Sequence, residues 1–351
     1  MPKTMKTITI KDVATRAGVS PKTVSRVING ESYVRAELRE AVQKVVDELG
    51  SRPNAFAREL SSSRSFLLGL FFDDPGSAYA ADVQRGALAR CRALSYHLVV
   101  EQVARDRDGW LEECEASLRA VRLGGAILTP PLCDWPELLD LFDRHQVPVV
   151  RISPGDFPER SPQVQMDDRG AAQEMTQRLI ALGHRDIAFI QGNPTHHAAA
   201  RRLEGFSAAM ADAGLAVPET RTLQGDFTFR SGLDAADRLL GTADHPTAIF
   251  AANDEMALAV LVAAMRNGIA VPEQLSIAGF DDAPIARMAW PQLSTVRQPN
   301  VEMATNAVDL LVHSHSGALA AQTCQLPYTM VMRSSTAPVH QNAAQRTRAA
   351  R

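Results

Sequence analysis

The sequence predicts a small all-α helix-turn-helix headpiece followed by a larger α/β body built on two parallel sheets. Three observations carry that expectation. Apolar residues near the N-terminus recur at helical spacing on either side of one glycine turn. From Ser65 onward, short apolar runs alternate with helical stretches. Charge divides at the same place: residues 1–65 hold 12 Lys and Arg against 7 Asp and Glu, and the remainder 25 against 33. A basic head on an acidic body suggests that the head meets a polyanion and the body does not. The length, 351 residues, suits two or three core-forming units.

The first helix is expected over 10–17, where Ile10, Val13, Ala14 and Ala17 fall at i, i+3, i+4 and i+7. Gly18 can take the positive φ that ends a helix in a tight turn, and Val19 faces inward. Ser20-Pro21 reads as an N-cap followed by proline at the first helical position. The second helix, 21–28, buries Val24, Val27 and Ile28 and shows Lys22, Thr23, Ser25 and Arg26 on its other side. A third helix near 35–49 is expected to bury Leu38, Val42, Val45, Val46 and Leu49. A polar, basic outer face on the second helix is what a helix lying in a DNA major groove needs.

In the body, runs at 66–72, 97–101, 126–128, 147–152, 187–190, 248–251 and 276–279 read as buried parallel strands. Helical stretches at 81–93, 109–121, 170–181, 200–213 and 255–267 lie between them. This alternation means right-handed crossovers, with enough strands for two sheets.

Several function classes find no support. Apolar residues make up 45 % and charged residues 22 %, as in ordinary globular proteins. The N-terminus lacks the apolar stretch of a secretion signal, and the longest apolar run, near 257–265, is too short to cross a bilayer. Cys91, Cys114, Cys133 and Cys324 are scattered, without the close pairing of zinc sites. His196-His197 has no third ligand at metal spacing and reads as a loop, and Trp290 reads as packing. No P-loop, G-x-G-x-x-G, G-x-S-x-G or H-E-x-x-H is present, and no carboxylate pair stands out for acid–base work. The expectation is a cytoplasmic protein without metal, cofactor or enzymatic activity.

Residues 9–60, TIKDVATRAGVSPKTVSRVING…RPNAFARELSS, closely resemble the headpiece of the LacI/GalR family of transcriptional regulators. The likeness continues through LIALGHRDIAFIQG (179–192), RRLEGFSAAM (201–210), AIFAANDEMALAV (248–260), LSIAGFDDAP (275–284), LSTVRQP (293–299) and LPYTMVMRSST (326–336). It implies a headpiece over 1–53, a hinge helix and linker over 54–64, a two-lobed periplasmic-binding-protein-like domain over 65–338, and a disordered tail over 339–351. Three crossing strands are expected near Gln165, Val296 and Leu326. One departure is Arg35, where relatives place a Ser or Thr N-cap; a modest loss of stability is expected there.

The resemblance also assigns roles. Pro21, Lys22 and Arg26 match positions facing base edges, and the Arg26 fork suits guanine O6 and N7. Thr9, Ser20, Thr23, Ser25 and Asn29 match phosphate contacts. Leu60, with its small neighbour Ala57, matches the hinge leucine that wedges into a base step; the serines at 61–63 that follow it read as a linker, not a core helix. Asp73, Tyr79, Arg151, Ser153, Arg202, Phe227, Asn253 and Asp281 match the effector pocket. Carboxylate, amide and guanidinium groups with one aromatic face suit a ring of hydroxyls. The implied protein is a repressor whose binding to a near-palindromic operator, as a homodimer, is controlled by a sugar. A purine or nucleoside effector is the alternative, and a solute-binding protein a lesser one. The tail carries no leucine heptad, so no tetramerising coiled coil is expected.

Overall fold

A computed structural model describes residues 10–28, 34–48, 65–242, 244–313 and 321–339. The N-terminal unit is three helices: α1 (Ile10–Ala17), α2 (Pro21–Ile28) and α3 (Ala36–Glu48). Gly18, at φ +68°, ends α1, and the Val19 amide donates back to the Ala14 carbonyl at 3.1 Å. Val13, Ala14, Val24, Val27, Val42 and Val45 form one small core. Leu38, expected in that core, is instead 37 % exposed: α3 turns Val42 and Val45 inward and leaves Leu38 at the rim.

The body holds two α/β lobes. The first is a parallel sheet in the order β11-β5-β4-β3-β1-β2, with β1 (Leu67–Phe72), β2 (His97–Gln102), β3 (Gly125–Leu128), β4 (Val149–Ile152), β5 (Gln163–Met166) and β11 (Thr323–Leu326). One core joins this sheet to α4 (Ala78–Ala93) and α12 (Asn300–His313). A second core joins it to α5 (Trp110–Ala120) and α6 (Pro136–Arg144). The continuous apolar strands the sequence shows are the consequence of cover on both faces.

The second lobe is a parallel sheet in the order β7-β6-β8-β9, from β6 (Ile187–Gln191), β7 (Thr222–Gln224), β8 (Ala248–Ala251) and β9 (Ser276–Ala278). It packs with α7 (Asp168–Ala181), α8 (His197–Asp212), α9 (Phe229–Leu240) and α10 (Asp254–Arg266), and short α11 (Pro284–Met288) follows. His197, read as loop, begins α8, with His196 at its N-cap. Trp290, read as packing, is 85 % exposed just after α11.

The chain crosses between lobes after β5, after β10 (Thr295–Arg297) and after β11, close to the positions expected. β10 pairs antiparallel with β12 (Thr329–Val331), bracing two of the crossings side by side. Near the end of the described residues, the Val339 amide donates to the Leu182 carbonyl at 3.0 Å and ties this segment to the second lobe. No helix among the described residues is long and apolar enough to cross a membrane.

Candidate effector cleft and DNA-reading helix

On α2, Pro21 and Lys22 are exposed, and Thr23, Ser25 and Arg26 are half-buried beside the valines that face the core. Ser20 caps the helix: its hydroxyl accepts from the Thr23 amide at 3.1 Å and lies 2.9 Å from the Thr23 hydroxyl. Thr9, Asn29, Ala57 and Leu60 lie outside the described residues, as does the expected hinge helix.

The second lobe brings Arg202, Phe227, Asn253 and Asp281 together. Arg202 projects from α8, buried, and donates from Nε to Asp168 Oδ1 at 2.8 Å and from an η nitrogen to the Ala252 carbonyl at 2.7 Å. The same nitrogen lies 3.9 Å from Asp281 Oδ1, and the guanidinium stacks 3.7 Å over the Phe280 ring. Gln298, delivered by the loop after β10, donates to Asp281 Oδ1 at 2.5 Å. Asn253 is the N-cap of α10: its Oδ1 accepts from the Met256 amide at 2.9 Å while Nδ2 donates to the Phe227 carbonyl at 2.8 Å. It therefore both caps a helix and fixes the segment that presents Phe227.

Backbone strain concentrates here. Asp281 (φ 116°), Asp282 (φ 55°), Phe227 (φ 74°) and Ser153 (φ 48°) all sit in left-handed regions that L residues avoid. Surrounding contacts hold them. The Asp282 carboxylate accepts from Arg297 Nε at 2.7 Å and Arg333 at 2.5 Å. Asp254 accepts from the Thr295 hydroxyl at 2.6 Å and the Ala283 amide at 2.8 Å. The loop carrying Asp281 is thus anchored to a crossing strand.

From the first lobe, Tyr79 enters at the start of α4. Its hydroxyl is buried and has no hydrogen-bond partner, one of two such side-chain atoms among the described residues. Burial, with the nearby Cys133, Asp168 and Asp281, holds its pKa well above the ordinary phenol value, against the opposing charge of Arg202. Burial pushes Asp281 up to about 6, also against Arg202, and raises Asp168 in the same way. Asp73 follows β1 directly, its carboxylate accepting from the Asp74 amide at 2.7 Å; it lines a cavity of about 670 Å³ shared with Arg105, Asp134 and Thr195. Asp73 also lies 3.9 Å from His196. Burial and then Arg202 lower His196 to about 4, so it is neutral at pH 7 and this is a polar approach, not an ion pair. Ser153 lines a second interlobe cavity of about 420 Å³ with Asp168 and His197.

Arg151 departs from expectation. It is wholly buried inside the first lobe, and its donors go to the Ser161 hydroxyl and to the carbonyls of Cys133, Asp156 and Phe157. On β4 it points away from the face shared by Val150 and Ile152, so its charge is spent on its own lobe's loops. Two polar groups at the site, Asp168 and Gln298, were not expected there, and His196, expected as a loop residue, lies beside Asp73. Gln298 lies in the LSTVRQP segment (293–299) that carries the resemblance, whereas Asp168 follows the N-cap Asp167 with no sequence feature to set it apart. Among the described residues no group of three His, Cys, Asp or Glu could hold a metal.

A basic-faced helix-turn-helix and a two-lobed cleft on one chain define a DNA-binding regulator with a small-molecule domain. Residues 9–54 match the model of bacterial regulatory proteins of the lacI family, and residues 176–336 that of the periplasmic binding protein-like domain. Catabolite control protein A of Priestia megaterium is 33 % identical over 94 % of this chain and 99 % of its own. A solved complex of the transcriptional regulator CelR with cellobiose aligns at TM-score 0.72 and 32 % identity, covering 93 % of this chain and 99 % of that one. A lac repressor dimer bound to operator and the anti-inducer ONPF aligns at TM-score 0.76 and 29 % identity, covering 95 % and 100 %. The chain belongs to the LacI family of transcriptional regulators.

Proposed function

We propose that this regulator is a repressor that reads a near-palindromic operator as a homodimer and releases or tightens it when a sugar enters the interlobe cleft. Asp73, Tyr79, Ser153, Arg202, Phe227, Asn253 and Asp281 grip the sugar, joined by Asp168 and Gln298. The observation that carries this reading is the buried Tyr79 hydroxyl without a partner, set among carboxylate and guanidinium groups. A buried hydroxyl left unsatisfied costs about 1–3 kcal/mol, and a sugar hydroxyl, which both donates and accepts, would recover it. The CelR–cellobiose likeness supports a sugar, and the lac repressor dimer on operator supports the assembly.

At the DNA, Pro21, Lys22 and Arg26 face base edges, Thr9, Ser20, Thr23, Ser25 and Asn29 hold phosphates, and Leu60 beside Ala57 wedges into a central step. Effector and operator then shift each other's affinity by the same factor. The test is a thermal-shift screen of the full chain against sugars, sugar acids and purines. A ligand at a hundred times its dissociation constant adds about 2.7 kcal/mol, and the melting point rises by several degrees. A sugar hit lost in Asp281→Ala is the expected result. A hit among purines alone overturns the sugar assignment.

A further inference from the structure

At Gly155 the two lobes meet with no room to spare. Gly155, in the loop between β4 and β5, lies against His197, the first residue of α8 in the other lobe. A Cβ added to Gly155 would stand 2.5 Å from His197 Cβ and closer still to the imidazole, a separation that side chains do not show. Turning the ring cannot relieve this, because the His197 Cβ is fixed by the helix. Gly155 does not have a positive φ, so its own backbone would accept a side chain. The glycine is required by the approach of the other lobe.

The loop that presents Gly155 is held unusually firmly. Ser153 and Phe157 flank it at φ 48° and 51°. The Asp134 carboxylate accepts from the Gly155 amide at 2.9–3.0 Å and from the Asp156 amide at 3.1 Å. Arg151, 3.7 Å from Asp134, donates to the Asp156 carbonyl at 2.8 Å and the Phe157 carbonyl at 2.5 Å from below. The pair therefore grips both the amides and the carbonyls of the loop tip. Asp134 and Asp156 line the 670 Å³ cavity and Ser153 and Gly155 the 420 Å³ one, so this loop is the wall between them.

We infer that Gly155 and His197 form the contact on which the lobes close, and that Arg151 and Asp134 are positioning residues that hold it ready. The inference rests on the cleft reading only in that closure is the motion an effector biases. Loss of the Arg151–Asp134 clamp frees the loop tip, and closure loses its fixed end point. A lysine cannot replace Arg151, because one ammonium has three donors on a single nitrogen for four separate acceptors.

The experiment measures the distance between lobes in the full chain without any effector. Spin labels go on Ala116→Cys of α5 and Ala211→Cys of α8, both exposed, in a Cys324→Ser background, with labelled chain diluted into excess unlabelled chain. The starting protein is expected to give one short, narrow distance. Gly155→Ala removes that population, and adding His197→Gly, which takes away the Cβ as well as the ring, restores the short distance. Arg151→Lys broadens the distribution while keeping the chain folded by circular dichroism. An unchanged distance in Gly155→Ala, or no restoration by His197→Gly, overturns the contact. An unchanged distribution in Arg151→Lys overturns the positioning role. No sugar enters the measurement, so failure here is distinct from failure of the effector assignment.

Discussion

Asp281→Asn should make the protein more stable and deaf to its effector. The carboxyl sits at about 6 where its ordinary value is 3.8, because burial outweighs the attraction of Arg202. Below pH 4 folded and unfolded chains both hold the proton, and the group contributes nothing against folding. As pH rises through 4 to 6 the unfolded chain releases its proton while the folded one retains it, so stability falls by about 1.4 kcal/mol per pH unit. By neutral pH the loss totals about 3 kcal/mol. Asparagine keeps the shape and can still accept the 2.5 Å hydrogen bond from Gln298, yet carries no charge to be buried. Urea titrations of both proteins at pH 5 and pH 7.5 measure the difference directly. The stability gap should widen by about 1–1.5 kcal/mol between the two conditions, since the Asp281 contribution is only partly lost at pH 5. A gap of the same size at both pH values, or a less stable variant at pH 7.5, would refute the reasoning.

Three further outcomes are expected. Arg202→Leu leaves Asp168 and Asp281 buried without their cation, a loss of about 3–5 kcal/mol at pH 7.5 that shrinks at pH 5, where Asp281 regains its proton; denaturant midpoints check it. Arg26→Ala should reduce discrimination between operator and random DNA by about tenfold or more while salt-sensitive binding persists; gel shifts on both duplexes at two salt concentrations decide this. Arg35→Ser supplies the missing N-cap of α3 and should raise headpiece stability by about 1 kcal/mol, read as a higher melting temperature of its helical signal.

Much of the architecture was legible because the elements that build it are periodic. Val13, Val24, Val27, Val42 and Val45 advertise a helical core by spacing alone, and the body strands advertise burial on two faces by being apolar throughout. What escaped has no such period. β7 and β12 are three residues each, too short to show alternation. Leu38 fits the spacing of α3 but falls at the edge of a core too small to cover it. At the cleft, Arg151 was assigned to the pocket by family resemblance alone; its partners are the Ser161 hydroxyl and backbone carbonyls of loops that no residue pattern reveals. Gln298 and Asp168 reach Asp281 and Arg202 only because the chain crosses between lobes beside them.

Those crossings bear on how the molecule comes into being. β11, the last strand of the first sheet, pairs with β5, yet about 160 residues separate them in the chain. While a ribosome makes that stretch, for roughly 10–30 s at ordinary elongation rates, the first lobe has an unfinished sheet whose β5 edge offers unpaired amides and carbonyls. α12, which covers one face of the same sheet, is also still unmade for most of that interval. The second lobe, whose four strands are all present by residue 278, can assemble sooner. The nascent chain thus emerges with its first half waiting on its last, and a chain stopped short of Thr323 would carry that raw edge permanently.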